Sequence, residues 1–434
     1  MKTLSWHGAA LLAAVLVVGP AAWAEGPEIT YPPAAAESGL QDSHRQQIDA
    51  YVKYWIDALV TADATDRIVS VRRRFLDGYN QYGSKAGEHQ DAYAKSVADH
   101  GKALLSGKLA ADDALAPLKE VNFAISVRMM SQVSLQPLAE VMITHKNPAV
   151  RWFGWNAYAM LRSPVLAFGG RPVRTMYAAM EKALAAETDP HVLSEAMVAF
   201  RMSPKPAPGQ GVTPEVHSET QEEFLKILGK NWTSLCRKVI AVDGTTSEAA
   251  SSAVGSLTLI KAGLGDSADT KALLQMALNM AYAGGMAYDR AGQMQAAAQA
   301  AQQAVGADVE AEGAGADADA LAAAKKLAAQ LGKKLEDVAR MKGDFEQVFA
   351  ANTTLLTSCE RALNAFAGRG DPGDQYIRKP LNSRAAVGAR GAAVRLGILK
   401  WVDELKKSHK LKDPTEMLRA PATAPAATAP AKAP

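Results

Sequence analysis

Apolar residues recur in this chain at spacings of three and four from one helical segment to the next. Ile48, Val52, Trp55, Ile56, Leu59 and Val60 form one such stripe, Ile68, Val71, Phe75 and Leu76 a second, and Leu115, Leu118, Phe123 and Val127 continue it. That period puts one apolar face on an α-helix. A series of alternating Val/Ile/Thr segments joined by Asn-Gly or Asp-Gly turns, the mark of hairpins and sheets, is not found. The reading is an all-α chain: a HEAT-like or irregular helical array followed by a long antiparallel helical hairpin. Hydrophobic residues make up 48% of the chain but aromatics only 6%, so alanine carries much of the apolar count.

The ends differ from the body. Residues 1–24 read as a signal peptide: Met1-Lys2, an apolar run from Ala9 to Val18, Gly19-Pro20, then Ala22-Trp23-Ala24 before the cut. Small residues at those last positions suit signal peptidase. The run is about 10 residues against the roughly 20 that span a bilayer, which argues against the alternative of an uncleaved anchor. The reading places the mature protein in a periplasm or outside the cell. Residues 25–38 read as a linker. Residues 413–434 read as a disordered tail, because Ala420–Pro434 is almost wholly Ala, Pro and Thr and buries too little to offset its ordering entropy.

Within the body, residues 39–264 read as one helical domain. Asn147-Pro148-Ala149-Val150-Arg151 opens a helix, and Asp189-Pro190-His191-Val192-Leu193 repeats the pattern 42 residues on, with a helix from Arg174 to Ala186 between. Asn or Asp caps a helix by accepting from free amides, and proline suits the first helical position. These segments resemble the second helices of HEAT-type repeats, and the resemblance spans about 120–262. A third unit would start at Asn231-Trp232-Thr233, without the proline and after an irregular loop over 203–220. The resemblance implies stacked helix pairs with an extended binding surface; the alternative is a bundle without repeats.

Residues 268–367 read as the hairpin. Leu331, Val338, Phe345, Asn352 and Cys359 fall seven apart, with Met341, Val348 and Leu355 in a parallel column, as in a coiled-coil seam. Residues 368–383 make a connector. Residues 384–412 make an amphipathic helix with Val387, Val394, Ile398, Trp401, Val402 and Leu405 on one side and Arg390, Arg395, Lys400, Lys406 and Lys407 around the rest. Such a helix packs on its neighbours or lies on an anionic membrane surface.

Standard catalytic signatures are missing: no Gly-x-Ser-x-Gly, no His-Glu-x-x-His, no phosphate loop ending in Gly-Lys-Ser/Thr. With 48 basic and 45 acidic residues the net charge is +3, which does not suit a nucleic-acid partner. Asp308, Glu310, Glu312 and Asp319, with Gly313, carry the spacing of a calcium loop; a solvated hairpin tip explains the same residues, and no other cofactor is indicated. Gly368 to Gly373 has the letters of a dinucleotide fingerprint but follows a helix, so it reads as a loop. Glu88, His89, Asp99 and His100 read as surface residues ahead of a metal set. Trp152, Phe153, Trp155 and Tyr158 crowd four scarce aromatics into seven residues, forming either a helix buried all round or a binding platform for carbohydrate or peptide. Cys236 and Cys359 are the only cysteines; in an oxidising compartment a bond between them competes with two buried free thiols. The function these features favour is an exported, non-catalytic scaffold or interaction protein of the cell envelope with a protein partner. The alternatives are an α/α-toroid-like polysaccharide enzyme, with acids such as Glu195 or Asp243 beside Trp152, and a membrane-surface structural protein.

Overall fold

A computed structural model describes residues 26–83, 85–209, 211–241, 244–312, 320–367 and 372–419. The signal-like segment, most of the hairpin tip, Gly368–Asp371 and the Ala/Pro/Thr end lie outside the described residues. Every regular element described is helical, and the residues fall into two compact units that divide between Met176 and Tyr177. The division lies inside the span read as one domain, because residues 190–264 pack with one another and with the long helices that follow.

The first unit holds α1 (Pro33–Ser38), α2 (Asp42–Thr61), α3 (Thr65–Asn80), α4 (Gly87–Ala103), α5 (Ala116–Arg128), α6 (Gln136–Ile143), α7 (Pro148–Phe168) and the start of α8 (Gly170–Ala186). Its core is built on the carbonyls ending α3. Tyr51 donates to Arg74 O at 2.7 Å, Tyr93 to Phe75 O at 2.6 Å, and His89 Nε2 to Gly78 O at 2.8 Å. Residues 26–38 are not a linker. The Tyr31 ring stacks between His44 at 4.7 Å and Tyr82 at 5.0 Å, and its hydroxyl meets His89 Nδ1 at 2.5 Å. Gln81 Nε2 donates to Ile29 O at 2.7 Å, and Ile29, Tyr31 and Ala36 are buried.

The second unit holds the rest of α8, then α9 (Pro190–Ala199), α10 (Pro214–Ile240), α11 (Gly244–Leu264), α12 (Thr270–Glu312), α13 (Ala320–Ala367), α14 (Lys379–Leu381), α15 (Val387–His409) and α16 (Pro414–Leu418). Tyr288 meets Phe349 at 5.2 Å, and Gly284 sits against Leu355 and Leu356. Advancing along α12 therefore retreats along α13, so the two long helices are antiparallel. The seam buries Val338, Val348, Asn352, Leu355 and Cys359 and half-buries Met341 and Phe345; the side chain of Leu331 lies outside the described residues. Both α10 and α13 pack against α11 and against α12, which makes a four-helix layer. Ser247 donates to Asn352 Oδ1 and Ser251 bonds Ser358, each at 2.7 Å, across α11 and α13.

Helix starts follow the capping chemistry. Asn147 accepts from Ala149 N at 3.0 Å, and Asp189 accepts from His191 N at 2.9 Å and Val192 N at 3.1 Å. Asn231 starts nothing: it lies inside α10, and its amide donates to Ile227 O at 2.9 Å. Helix α10 instead begins at Thr213-Pro214, inside the span read as loop. The tail begins later than Asp413, because Asp413 caps α16 by accepting from Thr415 N at 2.8 Å. Pro414 and Leu418 are buried, and Asn279 of α12 approaches Met417 Sδ at 3.4 Å.

Candidate functional site

Helix α7 carries the aromatic run and shows how the chain divides its surface. Val150, Gly154, Ala157, Tyr158, Leu161 and Val165 recur at helical spacing and are buried, with Trp155 beside them at 0% exposure and Tyr158 at 1%. Those two rings are therefore core and cannot meet a ligand at the surface. Trp152 and Phe153 are half-buried, packed edge to face at 4.9 Å. The Tyr158 hydroxyl is buried with no hydrogen-bond partner among the described residues. Its pKa is raised by burial, with the Glu140 carboxylate adding to the effect. Glu140 is itself pushed above the usual carboxylate range by burial, while Gln136, which donates to it at 3.3 Å, and Lys102 oppose the shift.

The other side of α7 is unlike its core side. Met160 is 53% exposed, and Phe168, two turns on, is 71% exposed. Arg128, at the end of α5, donates to Asn156 of α7, one turn before Met160. Its chain neighbour Met129 is 58% exposed. That bond ties the end of α5, next to Met129, to the turn of α7 that precedes Met160. Thioethers are flexible and polarisable, and exposed methionines adapt to varied protein surfaces. Met129 and Met160 belong to no motif and lie off the buried stripe. Their signal was apolar side chains out of phase with that stripe.

The remaining sequence candidates fall elsewhere. Asp308, Glu310 and Glu312 sit on the last turns of α12, on regular helix rather than in a loop, and Asp319 lies outside the described residues. His89 is buried, not a surface residue, and is bonded to Tyr31 and Gly78. His100 instead pairs with Asp49 at 2.8 Å. Glu195 lies on α9, and Asp243 is outside the described residues. The apolar side of α15 is covered: Val394 and Arg395 stand against Gly285 of α12, Arg395 pairs with Asp289 at 2.7 Å, and Trp401 stacks on Tyr376 at 5.8 Å.

A small apolar cleft in the second unit, lined by Leu184, Leu193, Met197, Leu228, Trp232 and Leu235, has room for about one water molecule. Lys238 at its rim donates to Glu187 O, and burial lowers the amine's pKa while the Glu187 charge opposes this. The cleft is too small for a sugar or a cofactor. Cys236 on α10 and Cys359 on α13 are both fully buried, free thiols. Burial raises the pKa of each, and the Cys359 thiol adds to the effect on Cys236. No family model, no curated protein and no solved structure matches this chain.

Proposed function

We propose that this chain is an exported, non-catalytic helical interaction protein of the cell envelope that binds a protein partner. The observation that supports it best is the pair of exposed methionines in the first unit: Met129 follows Arg128, Met160 lies one turn after Asn156, and Arg128 and Asn156 are hydrogen-bonded. Unbranched thioethers held in water beside a filled core suit a partner's apolar side chains. The secretion-type start of the sequence supports export.

The test has two arms. Fractionation of cells expressing the tagged chain should place it in the periplasm or medium, shortened at its N-terminus. A photo-crosslinking residue at Met160 should then capture a discrete envelope protein in living cells, whereas the same residue at exposed Lys146 should not. Met129→Lys should abolish the capture by the residue at position 160 and leave the melting temperature unchanged. Cytosolic retention of the intact chain overturns export. Equal capture at both positions, or none at Met160, overturns the binding surface.

A further inference from the structure

The second unit brings three sulfur atoms to one layer of its helical core. Cys236 Sγ on α10 lies 3.9 Å from Met280 Sδ on α12. Cys359 reaches the same layer from α13. Gly284 of α12 faces Leu355 and Leu356 of α13, and Tyr288 faces Phe349. One turn back along α12 from Gly284 is Met280, and one turn forward along α13 from Leu355 is Cys359. All three side chains are fully buried. Both cysteines of the chain, on helices more than a hundred residues apart in sequence, thus converge on one thioether.

We infer that Cys236, Cys359 and Met280 form a binding site for a soft monovalent metal ion of the copper(I) type. Thiolate and thioether donors select copper(I), whereas calcium and magnesium require oxygen donors. Three sulfurs around one ion at about 2.3 Å, the usual metal–thiolate length, stand about 4 Å apart, and the Cys236–Met280 separation already matches this. Metal sites in helical bundles are built in this way, from side chains of facing helices projecting into the core.

A disulfide fits the same residues poorly. Helices α10 and α13 each pack on α11 and α12, and Cys236 and Cys359 are both free thiols. A bond between them would need α-carbons within roughly 4.4–6.8 Å and an oxidant, whereas metal binding leaves the thiols' oxidation state unchanged.

Binding exchanges protons for metal: each thiol that becomes a ligand releases its proton to solvent, and the ion keeps its charge, so no oxidant or reductant is needed. Affinity therefore falls as the pH falls. Because the sulfurs are closed off from water, the ion enters during folding or through an opening of α10 from the layer.

The experiment uses the full chain, unfolded and refolded without oxygen in the presence of copper(I) supplied as its acetonitrile complex. The wild type should carry one copper per chain through desalting, and X-ray absorption should report sulfur-only coordination at about 2.3 Å. Cys236→Ala with Cys359→Ala should retain none. Met280→Leu, which keeps the core volume, should bind about tenfold or more weakly in competition with bicinchoninate, at least the cost of losing a metal's outer-shell partner. Circular dichroism identifies the refolded variants. The proposal is overturned by a refolded wild type that retains no copper, or by equal retention in the double variant. It is also overturned by Met280→Leu binding at wild-type strength, or by a Cys236–Cys359 bond in the protein as isolated. The site does not depend on where the protein resides, so failure here leaves the exported interaction protein standing.

Discussion

At the scale of single residues, the packing is set as much by missing side chains as by large ones. Gly154 lies where α7 crosses α6, and a Cβ there would come within 2.7 Å of Ile143 N and 2.8 Å of the Met142 carbonyl carbon. Those are backbone atoms, which cannot swing aside. Gly154→Ala should therefore destabilise the first unit by about 1–3 kcal/mol, the cost of an overpacked core. Gly255 provides the contrast: it is in the middle of α11, and nothing lies within 4 Å of the position a Cβ would take. Gly255→Ala should stabilise by about 0.4–1 kcal/mol, because alanine restricts the unfolded chain and suits a helix. Urea titration of the two variants checks both signs. A stable Gly154→Ala protein would mean that α6 and α7 are not in contact as described.

At the scale of elements, caps decide where helices start. Asp189 satisfies two amides of α9 with one carboxylate oxygen, at 2.9 and 3.1 Å. Asp189→Ala should cost about 1 kcal/mol, and Asp189→Asn much less, read as shifts in the urea midpoint. These starts were legible in the sequence because a cap and its proline are local chemistry. So was the long seam of α13, whose period repeats often enough to stand out. Short docked pieces were not legible. Helix α16 has the same Asp-Pro opening as α9, but its five residues are too few to show a stripe. Residues 26–38 are held by Tyr31 between two rings and by hydrogen bonds to Gln81 and Tyr82. Gln81 and Tyr82 lie some fifty residues away, beyond any local pattern. Asn231 misled in the other direction, since an asparagine without proline fits inside a helix when its amide bonds the preceding turn. The same limit hid the candidate surface and the sulfur layer. Trp155 and Tyr158 stood out by composition and are core, whereas Met160 and Met280 become distinctive only once their neighbours are placed.

For the whole molecule, acidity is the condition to which this core is most exposed. His89 and His145 are both buried in the first unit. The carbonyl of Gly78 can only accept, so His89 carries its hydrogen on Nε2 and takes the Tyr31 hydroxyl proton at Nδ1. His145 is held alike, donating from Nε2 to Leu105 O at 3.1 Å and accepting at Nδ1 from Asn147 N at 3.1 Å. Burial lowers the pKa of both below the ordinary value. At His89 the Gly78 bond opposes the shift; at His145 Glu120 opposes it, and Lys146 and Arg151 reinforce it. The unfolded chain therefore binds more protons than the folded one once the pH drops to about 6.5, the ordinary histidine value. Stability from these two sites is complete above that value and is lost as the pH falls through it toward the lowered folded values. Glu140 works the other way at lower pH, because a carboxyl raised by burial favours the folded state when it is protonated. The clearest decline should thus fall as the pH drops from about 6.5 to about 5, seen as a falling melting temperature by circular dichroism. His89→Gln combined with His145→Gln should flatten that stretch of the curve, since glutamine offers a donor and an acceptor without taking up a proton. A wild-type melting temperature that holds or rises across the interval would show that the two imidazoles are not locked neutral in the core.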